Sequence, residues 1–125
     1  MFPMRRTAAL FALATALPLA ACSVPSSEAS FNSSNPADRT RAIAQAGQDP
    51  TPERVRGLIT ELESADPAQR MFAIRTLERL TGETRGFRHA APEPDRAQAV
   101  DRWVEWYESG RWSDDIAERR AARTG

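Results

Sequence analysis

The 125-residue chain has no lysine at all, and only one histidine, one tyrosine and one cysteine. All 17 basic residues are arginine, against 17 acids, a composition read most simply as that of a GC-rich genome. The scarcities narrow the chemistry. A zinc site needs three or four N, S or O ligands in fixed geometry, and His89 stands in a loop without neighbouring ligands. Serine–histidine catalysis would have to pass through the same residue, and the serines lie in the flanking segments. No glycine-rich phosphate loop is present. No segment sustains alternation of apolar and polar residues, so no strand is expected. The carboxylate pairs Glu105 with Glu108 and Asp114 with Asp115 read as solvated faces rather than as a glycosidase pair across a groove. These absences argue against an enzyme, a metal site and a cofactor site.

The single cysteine has a telling position. Arg5 and Arg6 precede an apolar run of about 13–15 residues from Thr7 to Leu19, followed by Ala20-Ala21-Cys22 and then a serine-rich stretch. Spanning a bilayer takes roughly 20 apolar residues, so the run is a secretory leader by its anatomy and not a transmembrane helix. Ordinary secretion would leave an unpaired thiol in an oxidising compartment. Leu19-Ala20-Ala21-Cys22 resembles the lipobox of bacterial lipoproteins. That resemblance implies cleavage after Ala21, acylation of Cys22 by chains such as palmitate, and a membrane-anchored protein on the periplasmic face. In that family the residue after the cysteine influences sorting, and Ser23 points to the outer membrane where the host has one.

Cleavage would take two of the 17 basic residues and leave 15 against 17 acids, a net charge of −2 with no nucleic-acid footprint. Ser23 to Ser34 lacks any helical or strand period and reads as a tether, reaching roughly 20 Å as a flexible coil. The organisation expected is therefore a leader over 1–21, the anchor and tether over 22–34, a folded domain over 35–112 and a polar tail over 113–125. The tail offers Ser113 as a helix N-cap, but only Ile116 as a large apolar residue. It reads as a frayed, solvated helix whose arginines Arg119, Arg120 and Arg123 are available to anionic headgroups.

Within the domain a segment repeats. Asn35-Pro36-Ala37-Asp38-Arg39-Thr40-Arg41-Ala42-Ile43 aligns with Asp66-Pro67-Ala68-Gln69-Arg70-Met71-Phe72-Ala73-Ile74 at an offset of 31 residues, and Arg96-Ala97-Gln98-Ala99-Val100 keeps the Arg-x-x-Ala-[Ile/Val] core. Asn35 and Asp66 are N-cap residues followed by proline at the first helical position, where its missing N–H costs nothing. Gln69 is spaced to complete a capping box with Asp66, and Gly47 and Gly82 sit where left-handed C-caps are wanted. Thr51-Pro52-Glu53 opens another helix, whose stripe of Val55, Leu58, Ile59 and Leu62 should face Ala73, Ile74, Leu77 and Leu80 across a short connection.

A hairpin whose second helix opens Asp-Pro-x-x-Arg-x-x-Ala-x-x-x-Leu resembles a HEAT repeat. The spacing is shorter than the usual 40–47 residues or so and is similar to compact bacterial HEAT-like repeats of the kind found in phycobilin lyases. The resemblance covers Asn35 to about Leu80. It implies an all-α fold, a short α-α superhelix in which Pro67 bends the chain into the second helix and Arg70 lies along the repeat interface, pairing with acids such as Asp66 at the turns. Pro36, Arg39 and Asn35 hold the same roles in the first copy. A more distant similarity, to small bacterial HEAT-containing proteins running from Leu-Thr-Gly to a Trp-x-x-Trp helix, covers Leu80 to Trp106.

Solenoids usually need three or more repeats to bury a continuous core, so this one must be closed otherwise. Ala97, Val100, Trp103, Val104 and Tyr107 form one helical face, with Trp106 at its border and Trp112 folding back. This cluster has two readings, a hydrophobic cap on the last hairpin or an aromatic box for a small ligand or cell-wall fragment. Phe87 should plug the gap between helices. Phe72 lies opposite Leu77, either covered by the first helix or marking a partner surface. The function expected is a protein-interaction adaptor tethered in the cell envelope, binding an envelope protein or pairing with itself through an open end at Pro36–Ala46. The alternative is a lipoprotein that binds ligand through its aromatic cluster.

Overall fold

The computed structural model describes residues 29–125, and these form five helices with no strand among them. They are α1 (Pro36–Gln48), α2 (Pro52–Glu61), α3 (Pro67–Thr81), α4 (Glu93–Glu108) and α5 (Trp112–Thr124). The leader, Ala21, Cys22 and the tether as far as Glu28 lie outside the described residues. None of the described helices is long and apolar enough to cross a membrane. The architecture is all-α, a short superhelix in which α1, α2 and α3 pack on one another, α4 covers α2 and α5 covers α3.

The sequence repeat is a repeat of local geometry. Asn35 and Asp66 adopt nearly the same extended conformation (φ −82°, ψ 117° and φ −80°, ψ 114°). Their side-chain oxygens accept the N–H groups of Ala37 and Ala68 at 3.0 and 2.9 Å. The hydroxyls of Ser33 and Ser64, also 31 residues apart, accept the N–H groups of Asn35 and Asp66. A helical side chain leans toward its own N-terminus, so the arginine in the first turn folds back over the turn that precedes the helix. Arg39 Nη1 donates to the Ser33 carbonyl at 2.9 Å, Arg70 Nη1 to those of Ser64 and Ala65 at 2.8 and 3.1 Å, and Arg96 Nη1 to that of Ala91 at 2.6 Å. The pairs Ala42-Ile43, Ala73-Ile74 and Ala99-Val100 are buried in all three copies.

These contacts correct the expected role of the arginine. It holds backbone carbonyls rather than acids, because the irregular turn leaves carbonyls without helical partners. Arg39 alone approaches a carboxylate, that of Glu61 at 3.7 Å. Two further expectations change. Gln69 makes no capping box; buried at the α1–α3 contact, its Nε2 donates to the Pro36 carbonyl and the Thr40 hydroxyl. Gly47 lies inside α1, which ends at the cap Asp49, and its missing Cβ lets Thr76 and Arg79 of α3 approach. Gly82 does cap α3 in the left-handed conformation, φ 80°.

The core is continuous from Ile43 in α1 to Ile116 in α5. The stripes expected on α2 and α3 face inward, and Phe87 is buried in the same core. On α4 the buried face is Ala99, Val100, Trp103 and Trp106, so the expected face is rotated: Ala97 and Val104 are exposed and Tyr107 is half-buried. Two indoles three residues apart cover more apolar area than alanine and valine do, and that decides which face turns in.

The folded body is also larger than 35–112. Phe31, expected in the tether, packs against the core with its ring on Gly57. The tail is a docked helix, beginning at Trp112 after Arg111 without a side-chain cap, so Ser113 is not its N-cap. Ile116 is buried, Asp115 accepts the Trp106 indole N–H at 2.7 Å, and Arg120 Nη2 donates to the Gln48 carbonyl at 3.0 Å.

Two denaturation experiments test this arrangement. Arg70→Ala should cost about 2–3 kcal/mol in urea unfolding, since it removes one charged donor from three part-buried carbonyls. Arg70→Lys should recover less than half of the loss, because an ammonium lacks the planar fork. Ile116→Ala should cost about 2 kcal/mol or more, whereas in a solvated tail it would stay within about 0.5 kcal/mol.

Candidate functional site

The positions singled out in the sequence fall into three separate places. Trp103 and Trp106 are interior, in edge-to-face contact with centroids 5.2 Å apart. The indole N–H of Trp103 donates to the Thr84 carbonyl at 3.0 Å. Their outer rim is covered by Arg85, whose Cζ lies 5.2 and 5.3 Å from the two ring centroids. Gly82 and Gly86 and Arg85 itself take positive φ, 80°, 76° and 51°. This backbone, held by Arg102 Nε donating to the Arg85 carbonyl at 2.8 Å, aims the guanidinium at the rings. Left-handed backbone at a non-glycine residue is locally strained, and the two cation–π contacts offset that. Arg85 carried no distinguishing signal in the sequence beyond its place between two glycines.

Tyr107 and Trp112 form the second place, at the edge of the body. Their rings stack at 6.1 Å with planes 18° apart, both half-buried. The Tyr107 hydroxyl donates to the Pro52 carbonyl at 3.1 Å, and Arg56 lies 5.4 Å from its ring. Beside them a shallow groove of about 250 Å³ runs between α2 and α4, lined by Ile59, Val100, Val104 and Tyr107 with Arg56, Glu63 and Glu108 at its margins. Val104, 37% exposed, is its most accessible apolar residue.

Phe72 is the third, alone on the outer side of α3 and 39% exposed, so α1 does not cover it. The end of the array at Pro36–Ala46 turns its apolar residues Ala42, Ile43 and Ala46 inward and presents Arg41, Ala44 and Gln45.

His89 is half-buried, and its carbonyl accepts Arg70 Nε at 3.1 Å, so the loop histidine has a backbone role. Among the described residues no group of three His, Cys, Asp or Glu side chains is arranged to hold a metal ion. Glu105, Glu108 and Asp114 are exposed, but Asp115 is half-buried under Trp106, a partnership not expected for a solvated pair. A larger hollow of about 450 Å³ beside α5 brings Arg85, Arg111 and Arg119 against Glu83, Asp115 and Glu118, which balances its charge.

The most perturbed group is one the sequence did not mark. Glu61, at the end of α2, is 5% exposed, and its Oε2 has no hydrogen-bond partner among the described residues. Burial raises its pKa, Arg39 opposes this, and the Asp66 carboxylate adds to the rise. The ionised form is thus disfavoured in the folded state. That cost is present in full above the folded pKa and disappears as pH falls below the ordinary value near 4.5. Glu61→Gln should therefore stabilise the protein at neutral pH, and the difference from the parent should shrink to nothing near about pH 4. Paired urea titrations at the two pH values read this directly.

Comparison with protein-family models, with curated proteins and with solved structures finds no match.

Proposed function

We propose that the chain is a lipoprotein of the bacterial cell envelope, acylated on Cys22 after cleavage behind Ala21, whose HEAT-like helical body acts as a protein-interaction adaptor. The observation that carries this reading is Leu19-Ala20-Ala21-Cys22, closing a short apolar run behind Arg5-Arg6 and containing the chain's one cysteine. The HEAT-like part is supported by the α2–α3 hairpin, with the helix start Asp66-Pro67 and Arg70 folded against the turn. Such a body offers helix faces to a partner, and the tether keeps it beside envelope proteins. Ser23 favours the outer membrane where one exists. The partner is an envelope protein, with a second copy of the chain as the other candidate, and the reading assigns no catalytic step and no cofactor.

A ligand-binding lipoprotein is the second reading. Burial of Trp103 and Trp106 leaves it the Tyr107–Trp112 stack, with Arg56 beside it, as the aromatic surface. The adaptor reading is preferred because that stack borders an open groove rather than an enclosed pocket.

Cells expressing the parent chain should incorporate labelled palmitate into it and hold it in the membrane fraction, and Cys22→Ser should lose both. Crosslinking in those membranes followed by mass spectrometry should return one recurrent envelope protein. Soluble, unlabelled parent chain would end the lipoprotein reading. A blue-shifted tryptophan emission that moves on adding cell-wall fragments would favour the ligand reading instead.

A further inference from the structure

The outer sides of α3 and α5 are rich in arginine. Arg75 and Arg79 of α3 and Arg119, Arg120 and Arg123 of α5 stand against the exposed acids Glu78, Asp114 and Glu118, an excess of two positive charges. The other described residues hold ten arginines and thirteen acids, so the described body is electrically lopsided. Geometry gathers the five. Arg75, Glu78, Arg79 and Arg119 line one shallow hollow of about 540 Å³. Arg79 reaches Gly47 and Arg120 bonds the neighbouring Gln48 carbonyl, which draws both to the end of α1. Arg123 follows Arg119 by one helical turn. Arg75, Arg79, Arg119 and Arg123 take part in none of the four ion pairs among the described residues. Phe72, the most exposed large apolar residue among the described ones, lies one turn before Arg75 on the same side of α3.

We propose that this α3–α5 face docks on an anionic lipid bilayer, with the arginines at the headgroup phosphates and the Phe72 ring among the upper acyl chains. An aromatic ring with arginines around it matches the interfacial pattern, in which cationic stems reach up while the apolar body sinks. A nucleic acid would be met by the same charge, but an exposed phenylalanine among the arginines and a modest excess of two favour the bilayer. The inference builds on the tethered reading only in that the tether brings a bilayer within reach. The face then sets which way the body points, leaving the α2–α4 groove free for a protein partner.

The test uses the mature chain from residue 22 onward carrying Cys22→Ser, so neither the leader nor an acyl group contributes and failure leaves the tethered reading standing. It is cosedimented with vesicles of phosphatidylglycerol and phosphatidylcholine in equal parts, and with phosphatidylcholine alone. Among the described residues neither Arg75 nor Arg123 makes a side-chain hydrogen bond or ion pair, so R75A/R123A should keep its helical circular dichroism. At about fivefold per arginine, that variant should bind anionic vesicles about 25-fold more weakly. A97E/Q98E changes net charge equally but on α4, and should weaken binding by no more than about threefold, since charges beyond a screening length count little. Phe72→Ser should weaken binding severalfold at high as well as low salt. Equal losses in the two double variants would overturn the proposal, as would binding unaffected by R75A/R123A. Binding of a DNA duplex at lower concentration than the vesicles would overturn it in favour of nucleic acid.

Discussion

Arg70 joins three pieces of the molecule that share no helix. Its Nη1 holds the carbonyls of Ser64 and Ala65 in the turn between α2 and α3, and its Nε holds the carbonyl of His89 in the loop that leads to α4. Turns of irregular backbone carry carbonyls that must find a donor once water is excluded. A guanidinium in the first turn of the following helix supplies several donors in one plane, from a residue whose position the helix itself fixes. One buried side chain thus ties the hairpin turn to the loop that leads into the tryptophan-bearing helix.

The same solution recurs until it accounts for much of the chain's cationic content. Arg39, Arg54, Arg96, Arg102 and Arg120 also donate to backbone carbonyls, at the turns before α1 and α4, at the end of α1 and in the loop before α4. At Arg70 lysine could not do the same, since one ammonium on a flexible stem lacks the planar fork that meets several carbonyls at once. A small domain has a thin apolar core, and here satisfied turns supplement it. Arg75 and Arg79 on α3 and Arg119 and Arg123 on α5 have no such duty, and the first three share one hollow.

The helix starts were legible in the sequence because their signals are local: an N-cap oxygen, a proline, and an arginine at fixed spacing. Asn35 and Asp66 consequently adopt matching dihedrals. What escaped was set by tertiary contact. The orientation of α4 depends on which of two overlapping faces buries two indoles, and period alone cannot choose between Trp106 and Val104. Gly47 reads as a cap by type, yet its function is to admit α3. The tail has a single apolar residue of any size, and only the indole N–H seeking an acceptor explains why Asp115 and Ile116 dock. Glu61 looks like one more acid beside a stripe until Arg39 and Asp66 are folded around it.

Phe31 anchors the approach to α1 mechanically. Its ring lies on Gly57 of α2, and two residues later the Ser33 hydroxyl donates to Asp38 at 2.9 Å. Any pull on the chain from the N-terminal side meets this wedge and clamp before it reaches the first turn of α1. Load would enter the body at α2, through the Phe31 ring, before it reaches the end of α1. Helices resist shear across many contacts far better than unzipping one contact at a time, so Phe31 works as strain relief does on a cable.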